Sequence, residues 1–65
     1  MKSLVWERRG EKNLSDRALA QLTGLSKSTI NNIETGKTSP TLRQLKAIAV
    51  ALDCKITDLF DDEYK

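Results

Sequence analysis

Residues 19–36 of the chain read LAQLTGLSKSTINNIETG, two short runs of helical periodicity with a glycine between them. In the second run, at about 100° per residue, Ile30 and Ile33 define one side. Ser28, Asn31 and Asn32 point the opposite way, joined by Thr35, while Lys27, Thr29 and Glu34 flank the apolar stripe. A core has no use for lysine, serine and two asparagines on one helix, so that face needs another explanation.

In the first run Ala18, Leu19 and Leu22 form the expected buried side, and Arg17 and Gln21 face out. Ala20 lies off the apolar centre and is small enough for a second helix to cross closely. Gly24 supplies a sharp turn that favours positive φ. Two helices of this length joined by a three- or four-residue turn make a helix-turn-helix, here at about residues 16–35.

Working outward, helix punctuation is frequent. Ser15, Ser26, Ser39 or Thr41, and Lys55 each precede an apolar-periodic segment, and serine and threonine are good N-caps. Asn13, Gly24, Gly36 and Asp53 fall where helices should stop, and Pro40 opens a segment where a missing N–H is harmless. The pattern predicts five helices, at about 2–12, 16–23, 27–34, 41–52 and 56–61, and no strand, since no period-2 run is present. The fourth has the clearest stripe, with Leu42, Leu45, Ile48, Ala49 and Leu52 on one face and Arg43, Lys46 and Ala47 opposite. Gly10 weakens the last turn of the first.

With Asp16 counted first, Leu19 is fourth, Ala20 fifth, Gly24 ninth, Ile30 fifteenth and Ile33 eighteenth. On this spacing, on the stretch LSDRALAQLTGLSKSTINNIETGKTSPTLRQLKAIAVAL (14–52) and on the ETGKTSP within it, the chain resembles the Cro/phage-repressor type of helix-turn-helix domain, the Xre-like (lambda-repressor-like) family. The resemblance runs from about Val5 to Phe60. It implies an all-α, compact five-helix DNA-binding domain whose third helix, 27–34, enters the major groove of double-stranded DNA. Lys27, Ser28, Asn31 and Asn32 become the expected base readers: asparagine pairs bidentately with adenine, lysine donates to guanine, and serine is permissive. Ser15, Arg17, Thr29 and the loop Lys37–Thr38–Ser39 become expected phosphate contacts, which position the domain without reading sequence. The resemblance also implies a structural ion pair between Arg9, late in the first helix, and Glu34, at the end of the third. Four residues depart from the family's pattern. Asp16 stands where glutamine is common, Thr23 where an aliphatic residue is usual, Leu22 where a polar one is common, and Arg8 where leucine is usual. The Thr23 hydroxyl then needs a partner.

One recognition helix reads only about four to five base pairs, so a homodimer on a two-fold operator is expected, with recognition helices about 34 Å apart. Ile56, Leu59 and Phe60 are the candidate dimer contacts, although the same residues suit core closure. The expected role is a transcriptional regulator, and specifically a repressor. The alternative is an interaction or antitoxin-type module that binds protein through the same fold, which would expose an apolar patch near Trp6 or Leu22. Trp6, the only tryptophan, is expected to pack into the core, and Cys54 to act as a small buried hydrophobe.

The bulk numbers agree. At 65 residues the chain is expected to be one domain, 1–65, with little stability to spare. Its net charge of +2 is unevenly spread: residues 1–46 hold nine Lys/Arg against four Asp/Glu, and residues 47–65 hold two against five. The basic part suits an anionic partner. The acidic Asp58, Asp61, Asp62 and Glu63 read as a solvated end. One cysteine and no histidine argue against a disulfide, a zinc site and a serine nucleophile with its base. Asp61 and Asp62 are adjacent rather than flanking a cleft, and no Gly-rich phosphate loop is present, so catalysis, a metal and a cofactor are not expected. No apolar run approaches membrane-spanning length, no signal peptide is evident, and the expected setting is cytoplasmic. No small-molecule ligand is expected either.

Overall fold

The computed structural model describes residues 2–61. In chain order the elements are β1 (Lys2–Ser3), α1 (Val5–Glu11), α2 (Asp16–Thr23), α3 (Lys27–Glu34), α4 (Leu42–Leu52), a 3-10 turn (Ile56–Leu59) and β2 (Phe60–Asp61). The architecture is a helical bundle with four α-helices where five were expected. The fifth shrinks to the single 3-10 turn, after which Phe60 is extended at φ −150°. The other correction is at the N-terminus. Lys2 and Ser3 do not begin α1 but pair antiparallel with Asp61 and Phe60, and the Leu4 N–H donates to the Leu59 carbonyl at 2.8 Å. Both ends of the described chain thus satisfy backbone groups on each other. Asp62 and Glu63 of the acidic tail lie outside the described residues.

The local signals for the middle helices work as chemistry predicts. Ser15, Ser26 and Thr41 each accept from a backbone N–H in the first turn of α2, α3 and α4, at 3.0, 3.0 and 3.1 Å. Gln44 Oε1 accepts in return from the Thr41 N–H at 3.0 Å, which completes a capping box. The four expected terminators, Asn13, Gly24, Gly36 and Asp53, all adopt left-handed backbone, with φ of 57°, 75°, 77° and 52°. At Gly24 this turn sends the chain from α2 into α3. Thr23 closes it: its hydroxyl donates to the Leu19 carbonyl at 2.8 Å and accepts from the Leu25 N–H at 3.2 Å. The hydroxyl that replaces an aliphatic group therefore spans the turn.

The core joins Val5 of α1, Leu19 and Ala20 of α2, Ile30 and Ile33 of α3, Leu45, Ile48, Ala49 and Leu52 of α4, and Leu59. Burying a side chain such as Ile30 or Leu52 contributes roughly 1.5–3 kcal/mol. Ala18 and Cys54, also expected to be buried, are only partly so, and three larger residues expected inside are exposed. Leu22 is 61% exposed, Leu42 72% and Trp6 62%. On α2 the buried arc is centred between Leu19 and Ala20, because the small Ala20 is where a neighbouring helix closes in, and Leu22 rotates out. Leu42 lies in the first turn of α4, one turn before the buried stripe begins at Leu45. Leu59 is a core residue, so its side chain is not offered to a second copy, whereas Ile56 and Phe60 are only partly buried.

Arg8, in place of leucine, ties α1 to the 3-10 turn. Its Nε donates to the Asp58 carbonyl at 3.1 Å, and Nη1 reaches both oxygens of Glu11 at 2.9 and 3.0 Å. The Asp58 carboxylate caps that turn by accepting from the Lys55 N–H at 3.0 Å, so Asp58 is structural rather than part of a solvated end. At Gly10 a Cβ would meet nothing within 4 Å. Gly10→Ala is therefore expected to stabilise the protein by about 0.5–1 kcal/mol through a stiffer unfolded chain and better helix propensity. A rise in the urea midpoint at unchanged m-value reads this out, and a fall would show that the last turn of α1 is strained.

Candidate nucleic-acid interface

α3 is pinned from below and bare above. Ile30 and Ile33 are buried at its base, and Ser26 caps its N-terminus, also contacting Thr29 Oγ1 at 2.8 Å. Lys27 and Ser28 are exposed at the start of the helix, and Asn31 and Asn32 are half-buried along its outer face. The two asparagines diverge. Asn31 lines a cleft against α1, together with Trp6 and Thr35. Asn32 lies about 100° further round, and its backbone carbonyl accepts from the Lys37 and Thr38 N–H groups at 2.9 and 3.3 Å. The exposed loop Lys37–Ser39 is thereby folded back against the end of α3. Leu19 and Ala20 of α2 share the core with Ile30 and Ile33, which fixes how far the outer face of α3 projects.

The flanking groups form a frame. Arg17 is exposed in the first turn of α2. Ser15 is exposed too, and its capping bond to the Ala18 N–H uses an acceptor lone pair, which leaves the hydroxyl proton to donate. Asp16 Oδ1 accepts from the Arg17 N–H at 2.7 Å, an arrangement that keeps its charge at the helix N-terminus, where the dipole favours an anion. Thr29 is partly buried beside Ser26. The expected base readers and phosphate contacts thus fall on α3, the start of α2 and the 37–39 loop, three elements that one core holds together.

The frame is anchored by Arg9 and Glu34. Arg9 Nε donates to Glu34 Oε2 at 2.8 Å and Nη2 to Oε1 at 3.2 Å, while Nη1 donates to the Leu14 carbonyl at 3.0 Å. The two side chains are only 15% and 5% exposed. The hydrogen bond to Glu34 raises the guanidinium pKa above its already high ordinary value, so the cation persists at any working pH. This fork ties α1 to the C-terminal end of α3.

Trp6 and Leu22 remain exposed, which sequence periodicity missed because it gives relative angles and not the covered arc. Cys54 sits half-buried in a shallow hollow with Arg8, Lys12 and Asp58. Burial, then the Asp58 charge, pushes its thiol up from the ordinary value, against the opposing pull of Arg8 and Lys12. At pH 8 the folded protein should therefore react with iodoacetamide more slowly than the urea-unfolded chain. Equal rates by mass spectrometry would show an ordinary exposed thiol. Among the described residues no group of three His, Cys, Asp or Glu side chains is placed to hold a metal, and no helix is long and apolar enough to cross a membrane.

Comparison with known proteins follows the same outline. A family model described as helix-turn-helix matches residues 7–59. An uncharacterized HTH-type transcriptional regulator of Archaeoglobus fulgidus is 35% identical over 65 residues, 97% of this chain and 93% of that protein. The restriction-modification controller protein C.AhdI from Aeromonas hydrophila superposes with a TM-score of 0.82 at 36% identity, over 86% of this chain and 85% of that one. The N-terminal DNA-binding domain of SinR from Bacillus subtilis gives 0.81 at 27% identity, over 94% and 90%.

Proposed function

The chain belongs to the Xre/Cro-like helix-turn-helix family of DNA-binding transcriptional regulators, and from that premise we propose that it is a sequence-specific repressor that lays α3 in the major groove. The observation that carries this reading is the outer face of α3. Ser28, Asn31 and Asn32 stand opposite the packed Ile30 and Ile33, and Lys27 flanks them, with Arg17 and the Lys37–Ser39 loop exposed beside them. Lysine and asparagine on one face are the donors and acceptors that base edges in the major groove require. Ser15, Arg17, Thr29, Lys37, Thr38 and Ser39 hold phosphates and set the register. A homodimer on a two-fold operator supplies the selectivity one helix lacks, with Ile56 and Phe60 as candidate contacts. The names of the solved relatives, a controller protein and a DNA-binding domain, support the same direction.

The test is fluorescence anisotropy on duplexes selected from a random pool, against scrambled competitor, at two salt concentrations. The reading expects a two-fold site bound roughly 10³-fold more tightly than scrambled DNA. A steep salt dependence with no enrichment would mean coating by charge alone. No binding at all would favour a protein-interaction module, a second reading that rests on the exposed Trp6, Leu22, Leu42 and Val50.

A further inference from the structure

Trp6 is the least explained residue of the described chain. It is the only tryptophan, it lies in the first turn of α1, and the core does not take it. Instead it borders a cleft of about 560 Å³ between α1 and α3, whose other walls include Glu7, Arg9, Asp16, Asn31, Glu34 and Thr35. The floor is electrically settled, because Glu34 is bound to Arg9. The rim carries Glu7, exposed beside Trp6 on α1, and the half-buried Asp16 at the start of α2, which accepts from the Arg17 N–H and lies within reach of the Arg9 charge. An indole face attracts a cation, preferentially a guanidinium, and carboxylates beside it add to that attraction. The same carboxylates repel a phosphate backbone, so the cleft suits a cation and not the DNA that the neighbouring face would take.

We propose that the Trp6–Glu7–Asp16 cleft is a docking site for an arginine or lysine side chain presented by a basic segment of a different protein. Charge complementarity selects the occupant, and the position beside Asn31 and Thr35 places that protein against the recognition helix. The chain's own Arg17, Lys27 and Lys37 are committed to DNA under the proposed function. A second copy presenting its exposed Lys12, Arg43, Lys46 or Lys55 is the competing occupant. A Trp6 indole shift that grows with protein concentration in the absence of peptide would assign the cleft to that copy and overturn the proposal. The two sites adjoin at Asn31, and the docking site stands or falls without DNA in the tube.

The experiment uses the full chain and a blocked pentapeptide, acetyl-Gly-Arg-Gly-Arg-Gly-amide, with its citrulline counterpart as the uncharged control. A single tryptophan gives a single indole N–H signal in a ¹H–¹⁵N spectrum. Saturable shifts of that signal and of the Glu7, Asp16 and Thr35 amides are expected with the arginine peptide and not with citrulline. The Glu7→Gln/Asp16→Asn double variant and Trp6→Leu should each weaken binding roughly three-fold or more. Glu7 and Trp6 are exposed, and Asp16→Asn keeps an acceptor for the Arg17 N–H, so these variants should stay folded, which circular dichroism checks. Any of three results would overturn the proposal: no saturation, equal response to citrulline, or unchanged binding by the double variant. A selected duplex that perturbs the Trp6 indole where the peptide does not would assign the cleft to DNA instead, and also overturn it.

Discussion

Arg9→Ala is expected to cost about 3–5 kcal/mol, enough to leave much of the protein unfolded at 37 °C. The size of the effect comes from what the variant leaves behind. Glu34 is 5% exposed and loses both of its bonds to the guanidinium, and the Leu14 carbonyl loses a third. A stranded carboxylate in that position is poorly hydrated, so the penalty is above the roughly 1 kcal/mol or less of a surface pair. A chain of this length has only about 3–10 kcal/mol in total. Urea denaturation followed by circular dichroism measures the loss. Arg9→Leu combined with Glu34→Leu should recover much of it, because a buried pair often gives way to apolar side chains at little net cost. A single variant within about 1 kcal/mol of the parent would show that water reaches the pair freely.

The second large effect concerns the outer face of α3. On a selected duplex, Asn32→Ala should lower affinity by about 5- to 150-fold, the roughly 1–3 kcal/mol that a bidentate base contact supplies, while affinity for scrambled duplex stays within about two-fold. Lys37→Ala should lower both affinities together and flatten the salt dependence by about one unit of slope. Asn31→Ala tests which asparagine reads a base. Asn31 leans toward the α1 cleft and Asn32 toward the 37–39 loop, so the larger effect is expected at Asn32. Equal losses on both duplexes for Asn32→Ala would mean that the residue positions the protein rather than reading sequence.

Local chemistry made the middle of the molecule legible. Ser15, Ser26 and Thr41 cap the helices their positions announce, and Asn13, Gly24, Gly36 and Asp53 end helices in the left-handed region that those residue types tolerate best. The face of α3 is legible for the same reason, since Ile30 and Ile33 sit far enough apart in angle from Ser28 and Asn32 that no rotation buries both sets. The two ends were not legible. The pairing of Lys2–Ser3 with Phe60–Asp61 joins residues nearly sixty positions apart, and two-residue strands carry no periodicity. Nor does spacing say which arc of a helix a neighbour covers. It ranked Leu22 above Ala20 on hydrophobicity, and the close approach of a second helix reversed that order. Trp6 and Leu42 fail in the same way: Trp6 lies about 100° round the helix from the buried Val5, and Leu42 lies one turn before the buried stripe of α4 begins.

The direct measurement is a ¹H–¹⁵N titration of the protein with its selected duplex. The largest amide shifts are expected at residues 27–32 and 37–39 and at the start of α2, with little change on the outer face of α4 around Lys46 and Val50. Shifts centred on α4 or on the Ile56–Asp61 end, with α3 unmoved, would contradict the assignment of α3 as the element that reads DNA.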